Sequence, residues 1–250
     1  MTEETPAIDC TDVKLRYPRQ HGMALDGVNL TIKQGAICGL FGRNGAGKTS
    51  LMALLAGYRR PTQGSIRILG SNPYENPNIA QQVAFVYQKS GTDDFMNSYR
   101  VRDLCKNAKL FRPNWSEDYA EHLLTRFDLP RKKFANKLSK GQLAALRCSI
   151  GLASRTPLTI FDEAYLGMDP VYRKVFIDEL LADYLAYPRT ILFSTHYIGE
   201  MERLFSEAII VDKGCVLLQG DADTLRESGK NLQDLFISLT LKDGETYDYQ

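Results

Sequence analysis

A chain of 250 residues, 44% hydrophobic and 24% charged, can bury a sizeable core and has the composition of an ordinary globular protein, which excludes intrinsic disorder. Thirty-one basic residues against thirty acidic ones leave a net charge of +1, too little for an overall field that grips a polyanion, so nucleic acid is not an expected partner. Cys10, Cys38, Cys105, Cys148 and Cys215 are scattered and form no CxxC pair, which argues against a zinc site or a disulfide framework and fits a reducing cytosol.

The N-terminal stretch, Met1 to Pro6, is acidic where a secretory leader would be basic and then apolar. No later run approaches the ~20 apolar residues of a membrane helix, so the chain itself is expected not to cross a membrane. Ile8 to Leu15, Val28 to Ile32 and Ser65 to Leu69 read as strands divided by turn residues, the pattern of antiparallel β structure. Ala36 to Phe41 reads as a buried strand that runs into a glycine-rich turn and an apolar helix, Thr49 to Ala56. Val83 to Tyr87 is another buried strand. Between Lys89 and Lys137 the strand signal disappears, and Val101 to Phe111 and Ser116 to Phe127 read as helices, the second opened by a Ser116 cap. Buried strands return at Leu158 to Phe161, Thr190 to Ser194 and Ala208 to Val211, and Asn231 to Leu239 is amphipathic. Apolar runs alternating with helical patterns indicate an α/β protein with a largely parallel sheet.

Gly42-Arg43-Asn44-Gly45-Ala46-Gly47-Lys48-Thr49 matches the phosphate-loop pattern GxxxxGK[ST], after a buried strand and before an apolar helix as that pattern requires. Glycines let backbone N–H groups turn inward around a phosphate while the helix N-terminus adds partial positive charge. Lys48 is expected to neutralise the β/γ oxygens and Thr49 to ligate Mg²⁺, with Ser50 completing the run of nucleotide contacts. Chance yields this pattern in such a chain on the order of once in a hundred.

The chain resembles the ATP-binding cassette (ABC) family over nearly its whole length. The resemblance is carried by the phosphate loop, by Gln88 after a strand, and by Leu138-Ser-Lys-Gly-Gln142, Leu158-Thr-Ile-Phe-Asp162-Glu163, Gly167-Met-Asp169 and Ser194-Thr-His196, in the family's order and spacing. It implies a RecA-like phosphate-loop NTPase core with an antiparallel β subdomain, from 1–88 and 138–220, an inserted α-helical subdomain at 89–137 and a tail at 221–250. It also implies site roles. Asp162 holds Mg²⁺ through water, and Glu163 is the general base for the attacking water. His196 touches the γ-phosphate, Gln88 contributes to the Mg²⁺ and water shell, and Tyr17 stacks on adenine. Ser139, Gly141 and Gln142 of the signature, together with Asp169, belong to an ATP sandwich between two cassettes, in which the signature contacts ATP bound to the opposite subunit. No role is assigned to His21 or His122.

Some positions depart from the family pattern. Lys140 stands where a signature glycine is most common, Leu143-Ala-Ala145 lacks the usual basic residue, and Ala164 replaces a frequent proline. The leading reading is a transporter motor, homodimeric or paired with a second ABC ATPase, held at the inner face of the membrane by a separate integral membrane permease. A soluble ABC ATPase acting on ribosomes or DNA is the alternative, and a non-hydrolysing nucleotide sensor a third. Leu138-Ser-Lys-Gly, Gly167-Met-Asp169 and Leu232-Gln-Asp-Leu-Phe236 resemble bacterial ABC-2-type exporter ATPases. Permease docking is expected on Lys89 to Leu104, through Phe95, Met96, Tyr99 and Val101.

Overall fold

The computed structural model describes residues 5–18, 21–88, 95–195, 199, 201–227 and 231–241, the side chains of Phe95, Asn97 and Glu227 excepted. The strands are β1 (Ile8–Leu15), β2 (Leu25–Ile32), β3 (Ile37–Phe41), β4 (Gln63–Ile68), β5 (Val83–Tyr87), β6 (Leu158–Asp162), β7 (Thr190–Thr195), β8 (Glu207–Asp212) and β9 (Cys215–Asp221). The helices are α1 (Lys48–Leu55), α2 (Pro77–Gln82), α3 (Val101–Phe111), α4 (Glu117–Arg126), α5 (Lys140–Ala153), α6 (Pro170–Ala186), α7 (Ala222–Glu227) and α8 (Leu232–Thr240). The chain forms two compact units, one from Met1–Ile79 with Thr190–Gln250 and one from Ala80–Arg189.

In the first unit, β1 is the middle strand of an antiparallel sheet, pairing Ile8 with Ile32 of β2 and with Ile68 of β4. Ile8, Cys10, Val13 and Leu15 are all buried, yet the step from Cys10 to Val13 breaks the two-residue period of a strand. A bulge resolves the conflict: Asp12 takes a φ of 47° and donates its N–H to Asn29 Oδ1 at 2.9 Å. β2 begins at Leu25 rather than Val28, and β4 at Gln63 rather than Ser65, because pairing with Leu15 and Lys14 of β1 recruits residues that the apolar pattern does not mark.

The unit's second sheet is built on β3, whose residues are all buried, as expected of a strand covered on both faces. It pairs in parallel with β7 and β8, and β9 joins antiparallel to β8. β9 is not marked by an apolar run, since it is half exposed along its length. What makes it is the two-residue turn Lys213-Gly214, where φ values of 47° and 79° fit a tight hairpin.

In the second unit, β5 and β6 pair in parallel from Val83 opposite Leu158 to Tyr87 opposite Asp162. α5 packs against both strands and against α3, α4 and α6, through Ala144, Ala145, Leu146, Cys148 and Leu152, all buried. α3 has the expected bounds, and Ser116 Oγ caps α4 by accepting from Tyr119 N at 3.3 Å. Two carboxylates on successive turns of α6 gather basic side chains. Glu179 meets His122 Nε2 and Arg126 Nε, both at 2.8 Å. Asp183, 4% exposed, accepts from Arg155 Nη2 at 2.7 Å and pairs with Arg189 Nη1 at 2.8 Å.

Tyr99 to Arg102 is zipped to Arg131 to Ala135: Val101 N donates to Lys133 O, Arg102 N to Arg131 O and Ala135 N to Tyr99 O, each at 3.0 Å. Tyr99 and Phe134 stay exposed, and the Arg100 guanidinium lies 4.7 Å above the Phe134 ring. Val101 is fully buried, so this residue, expected on a docking surface, is core at the start of α3. The 89–94 part of the expected docking segment and the Phe95 side chain lie outside the described residues. Among the described residues no helix is long and apolar enough to cross a membrane. All five cysteines are free thiols, and burial pushes those of Cys10 and Cys105 up to about 12, leaving them unreactive at neutral pH.

Candidate nucleotide site

Gly42 to Gly47 connect β3 to α1. α1 has no side-chain cap, since its N-cap is Gly47 at φ 103°, so no side chain competes for the amide N–H groups of its first turn, which favour an anion. Position 47 requires glycine: a Cβ there would lie 2.8 Å from Ala24 O and 2.9 Å from a Leu25 methyl. The β8–β9 turn braces the loop, with Gly214 donating to Ala46 O at 3.0 Å and accepting from Asp26 N at 2.9 Å. Nothing in the apolar pattern announces this brace, although Gly214, a turn residue between two apolar runs, is a signal in the sequence.

Lys48 folds back on its own loop, Nζ donating to Gly42 O at 2.7 Å and Arg43 O at 3.3 Å, with the residue 6% exposed. Hydrogen bonds from an ammonium to ionised phosphate are stronger than those to neutral carbonyls, so this ammonium gains by turning toward phosphate oxygens. Arg43, Asn44, Gly45 and Thr49 are exposed and Ala46 is buried. Ser50 is half-buried, its Oγ 3.0 Å from the Tyr17 hydroxyl, which holds the expected adenine platform at the first turn of α1. Thr195 pairs with Phe41, the last residue before the loop, so β7 delivers Ser194 and Thr195 alongside it. His196 lies outside the described residues. A charge-neutralising cation, an uncapped helix start and a glycine cradle together fit the phosphates of a nucleotide.

The second unit holds the carboxylates. Because Tyr87 faces Asp162 in register, Gln88 follows β5 where Glu163 follows β6, at the C-terminal ends of parallel strands, where α/β sheets bind ligands. Asp162 is 6% exposed. Glu163 has a φ of 49°, a left-handed backbone costing about 1–2 kcal/mol in a non-glycine residue. The turn that enforces it continues with Leu166 N donating to Glu163 O at 3.1 Å and Met168 N to Tyr165 O at 3.0 Å. Ala164 and Tyr165 are buried while Glu163 keeps part of its surface, so the strained corner turns the carboxylate outward and its neighbours inward.

Three further motifs meet in this unit. A Cβ on Gly167 would lie 2.8 Å from Gln88 Nε2 and 3.5 Å from Lys140 O, and one on Gly141 would lie 3.4 Å from Gly167 O. Gln88, the start of α5 and the Gly167 turn are therefore neighbours. Ser139 and Gln142 form a capping box: Ser139 Oγ accepts from Gln142 N at 3.1 Å, and Gln142 Oε1 accepts from Ser139 N at 3.2 Å. Accepting that bond leaves the Ser139 hydroxyl proton available to an anion. Asp169 caps α6, accepting from Tyr172 N at 2.9 Å, with Pro170 at the first helical position. Among the described residues no group of three or more His, Cys, Asp or Glu gathers to hold a metal. The donor set suits Mg²⁺ ligated mainly by phosphate and water, with protein groups reaching it singly or through water.

A phosphate loop that opens an uncapped helix in one unit, and in the other a strand that ends in two successive carboxylates, are the features of a nucleotide-binding α/β protein. A model of the family described as ABC transporter matches residues 25–166, and the chain belongs to that family. It is 30% identical to the bacitracin transport ATP-binding protein BcrA of Bacillus licheniformis, over 92% of this chain and 75% of the relative. It is 28% identical to the doxorubicin resistance ATP-binding protein DrrA of Mycobacterium tuberculosis, over 97% of this chain and 74% of the relative. Among solved structures, an ATP-binding subunit of an ABC transporter superposes with a TM-score of 0.81 at 26% identity, over 95% of this chain and all of that one. The expected fold class holds: a RecA-like α/β core with an antiparallel β subdomain and a helical subdomain.

Proposed function

We propose that this chain hydrolyses MgATP as the motor subunit of an ABC exporter, pairing with a second ABC ATPase subunit and driving a separate integral membrane permease from the cytoplasmic face. The observation that carries hydrolysis is the register of β5 and β6, which brings Gln88 and the Asp162–Glu163 corner to adjacent strand ends. Thr49, Gln88 and Asp162 are the proposed Mg²⁺ ligands, directly or through water. Glu163 takes the proton of the attacking water, and His196 contacts the γ-phosphate. Gly42 to Ser50 hold the phosphates and Tyr17 the adenine. Ser139, Gly141, Gln142 and Asp169 serve the ATP shared with the second subunit. Bound Mg²⁺ supplies charge neutralisation at the β- and γ-phosphates.

Relatives whose names concern bacitracin transport and doxorubicin resistance support the exporter assignment. Residues 89–137 are the proposed helical subdomain, with the permease docking beside Tyr99. Purified protein should turn over ATP in Mg²⁺ and copurify with a membrane subunit from its native membranes. Absence of turnover, alone or with that subunit, would favour a nucleotide sensor; turnover with no membrane partner would favour the soluble ATPase.

A further inference from the structure

Tyr17 follows β1 in a short loop, where an aromatic ring has little to fix its orientation. Two groups do so here. Its hydroxyl lies 3.0 Å from Ser50 Oγ, and the Arg59 guanidinium carbon lies 4.9 Å from the ring centroid, within the range of a cation–π contact. Arg59 follows the end of α1 and is exposed, and among the described residues it makes no ion pair that would draw it elsewhere. Its chain segment is fastened next to Tyr17 by backbone contacts. Thr62 N donates to Lys14 O at 2.8 Å, and Arg16 N donates to Thr62 Oγ1 at 3.0 Å. The ring is thus gripped at its polar end and on one face, and remains only half-buried.

We infer that Arg59 is a positioning residue for nucleotide: its guanidinium backs one face of Tyr17 and, with Ser50, holds the ring so that the opposite face receives the adenine. The inference rests on the reading of Tyr17 as the adenine platform. Fixing a side chain before the ligand arrives removes an ordering cost from binding, so the gain falls on the base and leaves the phosphates untouched. The Tyr17–Ser50 contact also couples the platform to the residue directly after the phosphate loop, which sets the distance from ring to phosphates.

The test compares affinities for a fluorescent ATP analogue and for inorganic tripolyphosphate as its competitor, in wild type, Arg59→Met, Arg59→Lys and Tyr17→Ala. Arg59→Met keeps the stem but loses the cation, and should weaken the ATP analogue about two- to fivefold, the scale of an exposed cation–π contact, while tripolyphosphate binds as to the wild type. Arg59→Lys should restore most of the loss, which a purely structural role would not predict. Should Tyr17→Ala weaken the analogue while Arg59→Met leaves it unchanged, the role of Arg59 is overturned and the platform stands. Tighter binding by Arg59→Met would mean that the guanidinium occupies the face the base needs, which also overturns it. If Tyr17→Ala itself binds the analogue as well as the wild type, the platform reading fails and the inference with it.

Discussion

Gln88 and Gly167 are in contact: the amide Nε2 lies 2.8 Å from the point a Cβ on residue 167 would occupy. An alanine there does not meet rigid backbone, so the amide swings away at small cost in stability. The displacement is what matters, since Gln88 is the proposed link to Mg²⁺ and water. Gly167→Ala should lower ATP turnover toward that of Gln88→Ala, with thermal stability changed by less than about 1 kcal/mol. The double variant should be no slower than Gln88→Ala alone, because both changes remove the same interaction. Steady-state rates of the three proteins decide it, and additive losses would show that the two residues act separately.

Lys48→Ala removes the cation that now donates to Gly42 O and Arg43 O. The loop keeps its backbone but loses the charge proposed to meet the β- and γ-phosphates. Titration with a fluorescent ATP analogue should give a Kd at least about tenfold weaker, equivalent to ~1.4 kcal/mol. Unchanged affinity would remove the loop from the nucleotide site.

Glu163→Gln keeps the strained corner at φ 49° and can still hold a water, but an amide cannot take its proton. This variant should bind ATP and fail to turn it over, and trapped ATP should shift the protein to a dimer on size exclusion. Wild-type hydrolysis by the variant would exclude Glu163 as the base.

Asp183 shows how far stability depends on a single buried carboxylate. It engages Arg155 and Arg189 at 2.7 and 2.8 Å while 4% exposed. Asp183→Asn leaves both guanidiniums without their anion, and removing one partner of a buried ion pair costs about 3–5 kcal/mol. For a chain of this length that corresponds to a fall in Tm of roughly 6–12 °C at the lower figure. A fall of only a degree or two in a calorimetric scan would mean that water or another anion replaces the carboxylate.

The elements legible in the sequence share a local cause. α3 and α4 are recognisable from spacing and from the Ser116 cap, β5 from a compact apolar run, and the phosphate loop from residues that only one backbone geometry explains. What is not legible depends on partners distant in the chain. β9 exists because β8 lies across the Lys213-Gly214 turn, the start of β2 because Leu25 faces Leu15, and the Arg59 stack because Thr62 is bonded to the end of β1. Val101 misleads for the opposite reason, since an apolar residue beside a polar loop has the same local signature whether it docks a partner or, as here, fills the core.

The last prediction concerns the permease. If the chain is the proposed motor, it transmits work to the permease through a surface contact, and the zipped Tyr99–Arg102 and Arg131–Ala135 segments provide a firm surface. Tyr99 and Phe134 are each 41% exposed. Lys132 and Lys133 immediately precede Phe134 and are exposed, so the surface pairs aromatic area with positive charge and suits a cytoplasmic segment that is amphipathic and acidic. Tyr99→Ala with Phe134→Ala should leave nucleotide affinity intact, because neither ring belongs to the proposed nucleotide set, and should weaken copurification with the permease from detergent-solubilised membranes. Lys132→Glu with Lys133→Glu should weaken it further at low salt than at high salt, where charge attraction is already screened. Full recovery of the complex by both double variants would remove this surface from the docking site.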